Sequence, residues 1–226
     1  MNPYYQDDLV TIYHGDCLEI DAWLEADVLI TDPPYSLTAS GGGGIGAKRA
    51  YLKGITKANL ESGFDISVLE KFSRWVVFCA KDQLIELLSL ANEQGRWMLV
   101  TWNKPNPTPL VNANYLPDTE YIIHKFDTAN HLYGGYETRS RFIVHPVKQT
   151  KIDHPTVKPL AVMSRMVRIA SDVGETIADP FMGSGSTLVA AKSLGRKAIG
   201  VEIEEKYCEI AAKRCGQDYL FSEVAE

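Results

Sequence analysis

The sequence predicts an α/β domain built on one doubly wound, mostly parallel sheet with helices on both faces. Short apolar runs alternate with longer segments of helical periodicity, which is the pattern of such a sheet. Two turns rich in proline or glycine directly follow predicted buried strands. With 226 residues, the chain has the size of a single domain with a substantial core. We therefore expect one domain over 1–226, with halves at about 1–126 and 154–226 joined by a loop region at about 127–153.

The individual elements follow from local patterns. Short runs rich in β-branched and aromatic residues predict strands at 28–31, 75–79, 97–102, 120–124, 176–179 and 198–202. Apolar residues spaced three and four apart predict helices at 66–73, 82–92, 160–170, 186–194 and 205–215. In a sheet of this kind, ligands bind outside the carboxyl ends of the strands, where the strand order reverses.

Composition excludes several classes of protein. The first eight residues are polar and do not form a signal-peptide core, and no apolar run reaches the roughly 18 residues that a membrane helix needs. The four cysteines form no C-x-x-C pair, so we expect a reduced, cytoplasmic protein without a metal site. The net charge of −6 is unusual for a general nucleic-acid binder, so any positive binding surface must be local.

The stretch Thr31-Asp32-Pro33-Pro34-Tyr35 follows the first predicted strand and carries groups suited to holding an exocyclic amino group. Asp32 accepts an N–H, and proline offers backbone carbonyls without an N–H donor of its own. Tyr35 supplies a ring for stacking. By itself, this stretch is equally consistent with a strand followed by a Pro-Pro turn and a solvent-facing acid.

A second motif, Asp179-Pro180-Phe181-Met182-Gly183-Ser184-Gly185, again lies between a strand and a helix. Its glycines allow close approach of a ligand, Ser186 or Thr187 is placed to cap the helix, and the N–H groups at the helix start favour an anion. The next strand ends in Glu202, which is placed to accept both ribose hydroxyls of a nucleoside.

The chemistry of this turn favours a nucleoside without phosphate. A P-loop needs a lysine where Ser186 stands, and a dinucleotide fingerprint needs glycine or alanine where Leu188 stands. A short Gly-x-Gly turn followed by a ribose-binding acid fits S-adenosylmethionine.

Together, the two motifs resemble those of the amino-group DNA methyltransferases that modify adenine N6 or cytosine N4. The catalytic motif precedes the cofactor motif, which is the order of the β class of that family. The segment His154-Pro155-Thr156-Val157-Lys158-Pro159 and the N-terminal Gly15-Asp16 also resemble family elements. The resemblance implies a Rossmann-like methyltransferase fold, S-adenosylmethionine as cofactor, DNA as substrate, and adjacent strands at 28–31 and 176–179.

The resemblance also implies roles for individual residues. Asp32, Pro33, Pro34 and Tyr35 form the catalytic motif. Asp16 would meet the cofactor's adenine, Glu202 its ribose, and Lys158 its carboxylate by charge. The full set implied for the cofactor is Asp16, His154, Thr156, Lys158, Asp179, Pro180, Phe181, Gly183, Gly185, Ser186, Thr187 and Glu202.

Candidate DNA contacts lie in stretches of local positive charge and in one strand end that resembles a family element near the target base. The basic side chains would contact phosphates. These candidates are Lys48, Arg49, Lys53, Asn103, Lys104, Arg139 and Arg141. The region at 127–153 is too short for a separate target-recognition domain, so sequence preference would be short or loose, or would come from a second subunit in a homodimer.

Asp32 at the start of the motif favours adenine-N6 transfer, because serine is common there in the cytosine-N4 group. Cytosine N4 and RNA remain alternative targets. A protein glutamine amide is disfavoured, because that motif usually begins with asparagine. An inactive cofactor- or DNA-binding module is disfavoured by intact Asp32, Tyr35, Gly183 and Gly185.

Overall fold

The computed structural model describes residues 2–34, 64–107, 115–127, 133, 135–147 and 157–217. The strands, numbered along the chain, are β1 (Tyr5–Gln6), β2 (Val10–His14), β3 (Val28–Thr31), β4 (Trp75–Cys79), β5 (Arg96–Asn103), β6 (Thr119–Phe126), β7 (Phe142–Val144), β8 (Thr176–Asp179) and β9 (Lys197–Glu202). The α-helices are α1 (Ser67–Glu70), α2 (Leu84–Gln94), α3 (Leu160–Ala170), α4 (Ser186–Ser193) and α5 (Glu205–Cys215). Short 3-10 helices cover Ala22–Glu25, Lys81–Gln83 and Tyr136–Arg139.

In the described part of the chain, the nine strands form one sheet in the order β1-β2-β9-β8-β3-β4-β6-β5-β7. The neighbouring pairs β2–β9, β9–β8, β8–β3, β3–β4 and β5–β7 are parallel, whereas β1 and β6 run against their neighbours. The strand after β3 lies on one side of the β3–β8 pair and the strand after β8 lies on the other. This pair is therefore the point where the strand order reverses, which is where such sheets bind ligands.

Two apolar layers cover the sheet. Val28 and Ile30 of β3 face a layer that includes helices α3, α4 and α5, and Leu29 between them faces a second layer with α1 and α2. All three side chains are fully buried. Burying one such side chain contributes about 1.5–3 kcal/mol. Burial on both faces explains why β3 is a continuous apolar run instead of an alternating one.

The predicted fold class and most element positions are confirmed. The expected neighbouring strands at 28–31 and 176–179 are indeed paired, with Val28 opposite Ile177 and Leu29 opposite Ala178. The helices at 160–170 and 205–215 have the bounds that the sequence predicts.

Strands β1, β2 and β7 were not predicted, and three helices have bounds other than those predicted; of these, α4 ends one residue early, at Ser193. Strand β2 lies just before and within the segment that resembles a family motif, and its Val10 and Ile12 side chains point inward with the period of two that is typical of a strand. Strand β7 has three residues of which Ile143 alone is buried, too weak a signal to detect, and it shows that the 127–153 region is not loop throughout. The helix expected at 66–73 is shortened to α1, and the helix expected from residue 82 starts as a 3-10 turn.

In the described ranges, no helix is both long and apolar enough to cross a bilayer. In the same ranges, no group of three or more His, Cys, Asp or Glu side chains is arranged to hold a metal ion. The four cysteines are buried free thiols.

Candidate active site

A hydrogen bond joins the two motif-bearing strands at their carboxyl ends. The Thr31 hydroxyl donates to Asp179 Oδ1 over 2.6 Å, and both groups are buried. Thr31 is followed directly by Asp32-Pro33-Pro34, and Asp179 is followed directly by the glycine turn. The turns that carry the two motifs therefore leave the sheet side by side, at the point where the strand order reverses.

The Asp32 carboxylate is held by a buried lysine from the segment before α3. Lys158 Nζ lies 2.5 Å from Asp32 Oδ2 and 3.3 Å from Glu120 Oε2, and the Lys158 side chain is 7% exposed. Its ammonium also lies 5.4 Å from the centre of the Phe78 ring. Burial lowers the pKa of Lys158, but the carboxylates of Asp32 and Glu120 outweigh that effect and hold it above its usual value.

Glu120, the second residue of β6, connects this lysine to the end of β5. Lys104 Nζ lies 2.5 Å from Glu120 Oε1 and 4.9 Å from the centre of the Trp102 ring. Burial raises the pKa of Glu120, but the positive charges of Lys158 and Lys104 bring it below its usual value. Asp32, Lys158, Glu120 and Lys104 thus form a chain of alternating charges, which we call the site ion-pair chain.

Asp179 is almost completely buried under the glycine turn. Burial raises the pKa of its carboxyl to about 7, although hydrogen bonds from Thr187, from Thr31 and from the Phe181 N–H act in the opposite direction. The Phe181 N–H donates to Asp179 Oδ1 over 3.2 Å. The Asp179 carboxyl therefore connects the end of the catalytic strand, through Thr31, with the glycine turn and the start of α4, through Phe181 and Thr187.

The glycine turn takes the conformation that its glycines allow. Gly185 has φ +78°, and a β-carbon there would lie 2.8 Å from the Ala211 β-carbon, so both strain and contact exclude other residues. Gly185 is also the N-cap of α4, and no side chain caps this helix. The expectation that Ser186 or Thr187 caps α4 is therefore wrong. Both are buried in other contacts: Ser186 Oγ accepts from Arg214, and Thr187 bonds Asp179.

Glu202 and Asp16 lie next to each other at the ends of β9 and β2. Glu202 Oε2 accepts the Gly183 N–H over 3.0 Å, and Oε1 accepts the Glu204 N–H over 2.9 Å. Burial raises the pKa of Glu202, while these N–H groups act against the rise. The Gly15 N–H donates to the Glu202 carbonyl over 3.0 Å, which brings the half-buried Asp16 to the same edge. The half-buried Phe181 ring lies edge-on to Phe64, with ring centres 5.5 Å apart.

Pro33 and Pro34 lie just beyond the end of β3, and Pro180 directly follows β8. The other predicted site residues fall into two groups. Arg139 and Arg141 are exposed, whereas Asn103 is half-buried and bonds Thr101 and Thr119, and Lys104 pairs with Glu120. The second group lies outside the described residues and comprises Tyr35, Lys48, Arg49, Lys53, His154 and Thr156.

Sequence reasoning missed the contributions of Thr31 and Glu120. Thr31 stands inside the motif, at the strand end where a hydroxyl faces the neighbouring strand, so its position was a usable signal. Glu120 gave no such signal. Its contact with Lys158 depends on the pairing of β6 with β4, which sequence spacing does not reveal.

Comparison with known proteins agrees with this geometry. The family model of the N6/N4 methyltransferases, described as DNA methylase, matches residues 26–213. The chain belongs to this DNA methylase family. It is 27% identical to the type II methyltransferase M2.DpnII of Streptococcus pneumoniae, over 94% of this chain and 91% of that protein. It is 28% identical to M2.LlaDCHI of Lactococcus lactis subsp. cremoris, with the same coverage of each chain.

Solved structures with the same fold include one in complex with S-adenosylmethionine. The complex of M1.HpyAVI with S-adenosylmethionine (SAM) superposes with a TM-score of 0.66 at 28% identity, covering 91% of this chain and 100% of that one. The cytosine-N4-specific PvuII methyltransferase superposes with a TM-score of 0.67 at 15% identity, over 98% of this chain and 94% of that one, which supports the fold alone. This DNA methylase uses S-adenosylmethionine and acts on an amino group of DNA.

Proposed function

We propose that this DNA methylase transfers a methyl group from S-adenosylmethionine to the N6 amino group of adenine, with Asp32 and the Pro33 carbonyl holding that amino group. The observation that carries the proposal is the 2.6 Å hydrogen bond between Thr31 and Asp179, because it joins the catalytic turn to the cofactor turn. Aspartate at the head of the catalytic motif favours adenine over cytosine.

The acceptor groups around the glycine turn fit the cofactor's nucleoside. Glu202 would accept the ribose hydroxyls, Asp16 the adenine amino group, and Phe181 would pack against the adenine. The Glu202 carboxylate is already fixed by the N–H groups of Gly183 and Glu204, so little ordering would accompany binding. The start of α4 presents partial positive charge toward the same turn.

The catalytic turn would act mainly by positioning. When bound, S-adenosylmethionine supplies an electrophilic methyl group on a positively charged sulfur. An adenine amino nitrogen is a weak nucleophile because its lone pair is delocalised into the ring. Two N–H bonds, to the Asp32 carboxylate and to the Pro33 carbonyl, would hold that nitrogen pyramidal and aim its lone pair outward.

Asp32 would also stabilise the charge that develops. The attacking nitrogen becomes positive as the new bond forms, and a nearby carboxylate favours that change. The amino proton becomes acidic only after methylation and would then pass to the Asp32 carboxylate or to water, so a strong general base is not required. Pro34 adds no backbone N–H that would compete for the acceptors.

The target base would have to leave the DNA stack to reach this turn. Extruding a base from a duplex costs a few kcal/mol, and stacking on an aromatic ring returns roughly 1–3 kcal/mol per base. Tyr35 would provide that ring. Of the predicted phosphate contacts, the exposed Arg139 and Arg141 suit the role, whereas Lys104 is engaged by Glu120.

A homodimer would present a wider DNA-binding surface than one chain. Sedimentation velocity would test whether two chains associate.

The test is identification of the methylated product. The purified protein is incubated with tritiated S-adenosylmethionine and duplex DNA, single-stranded DNA or RNA, and the digested nucleosides are separated. We expect label in N6-methyldeoxyadenosine. Label in N4-methyldeoxycytidine would assign the enzyme to the cytosine group, and label from RNA alone would overturn DNA as the substrate.

A further inference from the structure

The site ion-pair chain places a buried lysine against the carboxylate that is proposed to hold the target amine. We propose that Lys158 is a positioning residue for Asp32, and that Glu120 fixes Lys158 in turn. This role deepens the proposed function and rests on it. It differs from the role that the family resemblance implies for Lys158, which is to meet the cofactor's carboxylate.

The contacts of Lys158 show that it pairs with two carboxylates of the protein itself. Lys158 Nζ bridges Asp32 Oδ2 at 2.5 Å and Glu120 Oε2 at 3.3 Å. Its side chain is 7% exposed and its ammonium lies over the Phe78 ring. A lysine this buried needs compensating charge, and the two carboxylates supply it. Lys104 holds the other oxygen of Glu120 at 2.5 Å, so Glu120 is fixed from both sides.

The charged and titratable groups of the site ion-pair chain and its surroundings come from five neighbouring strands. In the described residues these are Asp32 after β3, Glu120 on β6, Lys104 after β5, the Cys79 thiol at the end of β4 and Asp179 at the end of β8. Burial raises the pKa of Cys79 to about 12, with Asp32 and Glu120 adding to the rise, so this thiol stays neutral. Lys158 is therefore the cation that lies between the carboxylates of Asp32 and Glu120.

The geometry assigns Lys158 two effects on Asp32. A short ion pair to Oδ2 restricts rotation of the carboxylate, which fixes the direction in which Asp32 accepts an N–H. The same cation separates Asp32 from Glu120. Without it, two carboxylates would face each other across a partly buried space, and both their charge and their orientation would change.

The experiment compares Lys158→Met with Glu120→Gln, with their double variant and with a matched control. Methionine keeps most of the volume of the lysine stem and removes its charge. The control is Lys192→Met, because Lys192 forms a similarly short ion pair, 2.5 Å from Asp7 Oδ2, away from the proposed site. The measurements are kcat and KM for DNA across pH, the cofactor Kd by calorimetry, and the thermal unfolding midpoint without ligand.

We expect Lys158→Met to lower kcat by roughly 10- to 100-fold, as for loss of an interaction made mainly in the transition state. The acid limb of its kcat profile should move to higher pH, because the ionised form of Asp32 has lost its cation. The cofactor Kd should stay within about threefold of wild type. Adding Glu120→Gln should restore part of kcat, since one of the two opposed carboxylates is gone. Lys192→Met should lower the unfolding midpoint and leave the pH profile unchanged.

Two outcomes would overturn the positioning role while leaving the proposed function in place. The first is an active Lys158→Met enzyme with an unshifted pH profile. The second is a loss confined to cofactor affinity, which would place Lys158 in the cofactor site. A wild-type protein that methylates no nucleic acid would instead overturn the proposed function, and the positioning role with it. The unfolding midpoints test the Lys158–Asp32 ion pair separately from catalysis. Adding Asp32→Asn to Lys158→Met should relieve part of the destabilisation that Lys158→Met causes. If the two substitutions changed the midpoint independently, the ion pair would be contradicted.

Discussion

The hydroxyl of Thr31 donates a 2.6 Å hydrogen bond to the carboxylate of Asp179, and this bond ties together two motifs that lie 148 residues apart in the chain. Thr31 ends the strand before the catalytic turn, and Asp179 ends the strand before the cofactor turn. Because the two strands are parallel neighbours, the bond fixes the position of one turn relative to the other along the strand direction.

Replacing Thr31 with valine should destabilise the protein and slow methyl transfer. The substitution keeps the shape of the side chain but removes the shorter of two hydrogen bonds to the buried Asp179 Oδ1, which then keeps only the Phe181 N–H. Loss of a hydrogen bond to a buried carboxyl group costs about 1–3 kcal/mol. Urea unfolding measures the stability and a tritium assay the rate. Thr31→Ser keeps the hydroxyl and is the control. Equal stability and rate in the valine variant would show that the bond does not tie the two turns.

The stability of the protein should carry a pH dependence that belongs to Asp179. Its folded pKa is about 7, raised by burial from an ordinary value of 3.8. Between pH 4 and 7 the unfolded chain releases this proton and the folded chain keeps it. The free energy of unfolding should therefore fall as pH rises, by at most about 1.4 kcal/mol per pH unit, and level off above pH 7.

The Asp179 contribution is isolated by subtracting the curve of an Asp179→Asn variant. Subtraction is needed because His124 acts in the opposite sense. Burial, aided by the charge of Arg74, lowers the pKa of His124 to about 4, so its contribution to stability is lost as pH falls from about 6.5 through 4. As the pH rises from 4 to 7, the free energy of unfolding of the asparagine variant should increase relative to that of the wild type. Parallel curves would mean that Asp179 titrates normally.

Glu202→Ala should weaken cofactor binding by roughly 10- to 100-fold, through loss of charge-assisted hydrogen bonds to the ribose. Calorimetry with S-adenosylmethionine measures the change. Glu204→Ala is the matched control, because it removes an acid two residues away. Among the hydrogen bonds of the described residues, Glu204 bonds Glu202 only through its backbone N–H, which alanine keeps. If the two variants bound the cofactor equally well, Glu202 would not be the ribose acceptor.

Tyr35→Ala should reduce methylation of duplex DNA by about tenfold or more, because stacking on an extruded base is worth roughly 1–3 kcal/mol. Tyr35→Phe keeps the ring and should keep most of the activity. Transfer rates on duplex and single-stranded DNA measure the effect, and the deficit should be smaller on single strands, where no pair is broken. Equal loss in both variants would point to the hydroxyl instead of the ring.

The sequence predicts the site's two turns because their signals are local. An apolar run at 28–31 followed by Asp-Pro-Pro, and another at 176–179 followed by a glycine turn, each specify a strand and its end without tertiary information. The neighbouring positions of the two strands came from the family resemblance, and the observed pairing confirms them.

The electrostatics of the site could not be predicted in the same way. The partners of Lys158 are Asp32 and Glu120, which come from different strands, and their contact depends on the order β3-β4-β6 in the sheet. Burial of Lys158 likewise follows from packing before α3 and not from its neighbours in sequence. Local spacing specifies which groups reach the edge of the sheet, whereas strand order decides which of them touch.

The most direct test of the account is a comparison of methyl transfer and cofactor binding in an Asp32→Ala variant. We expect transfer to DNA to fall by about a hundredfold or more, as when a group that stabilises transition-state charge is removed. We also expect a calorimetric Kd for S-adenosylmethionine within about threefold of wild type, since Asp32 is assigned to the target amine. An Asp32→Ala enzyme that methylates DNA at the wild-type rate would contradict it.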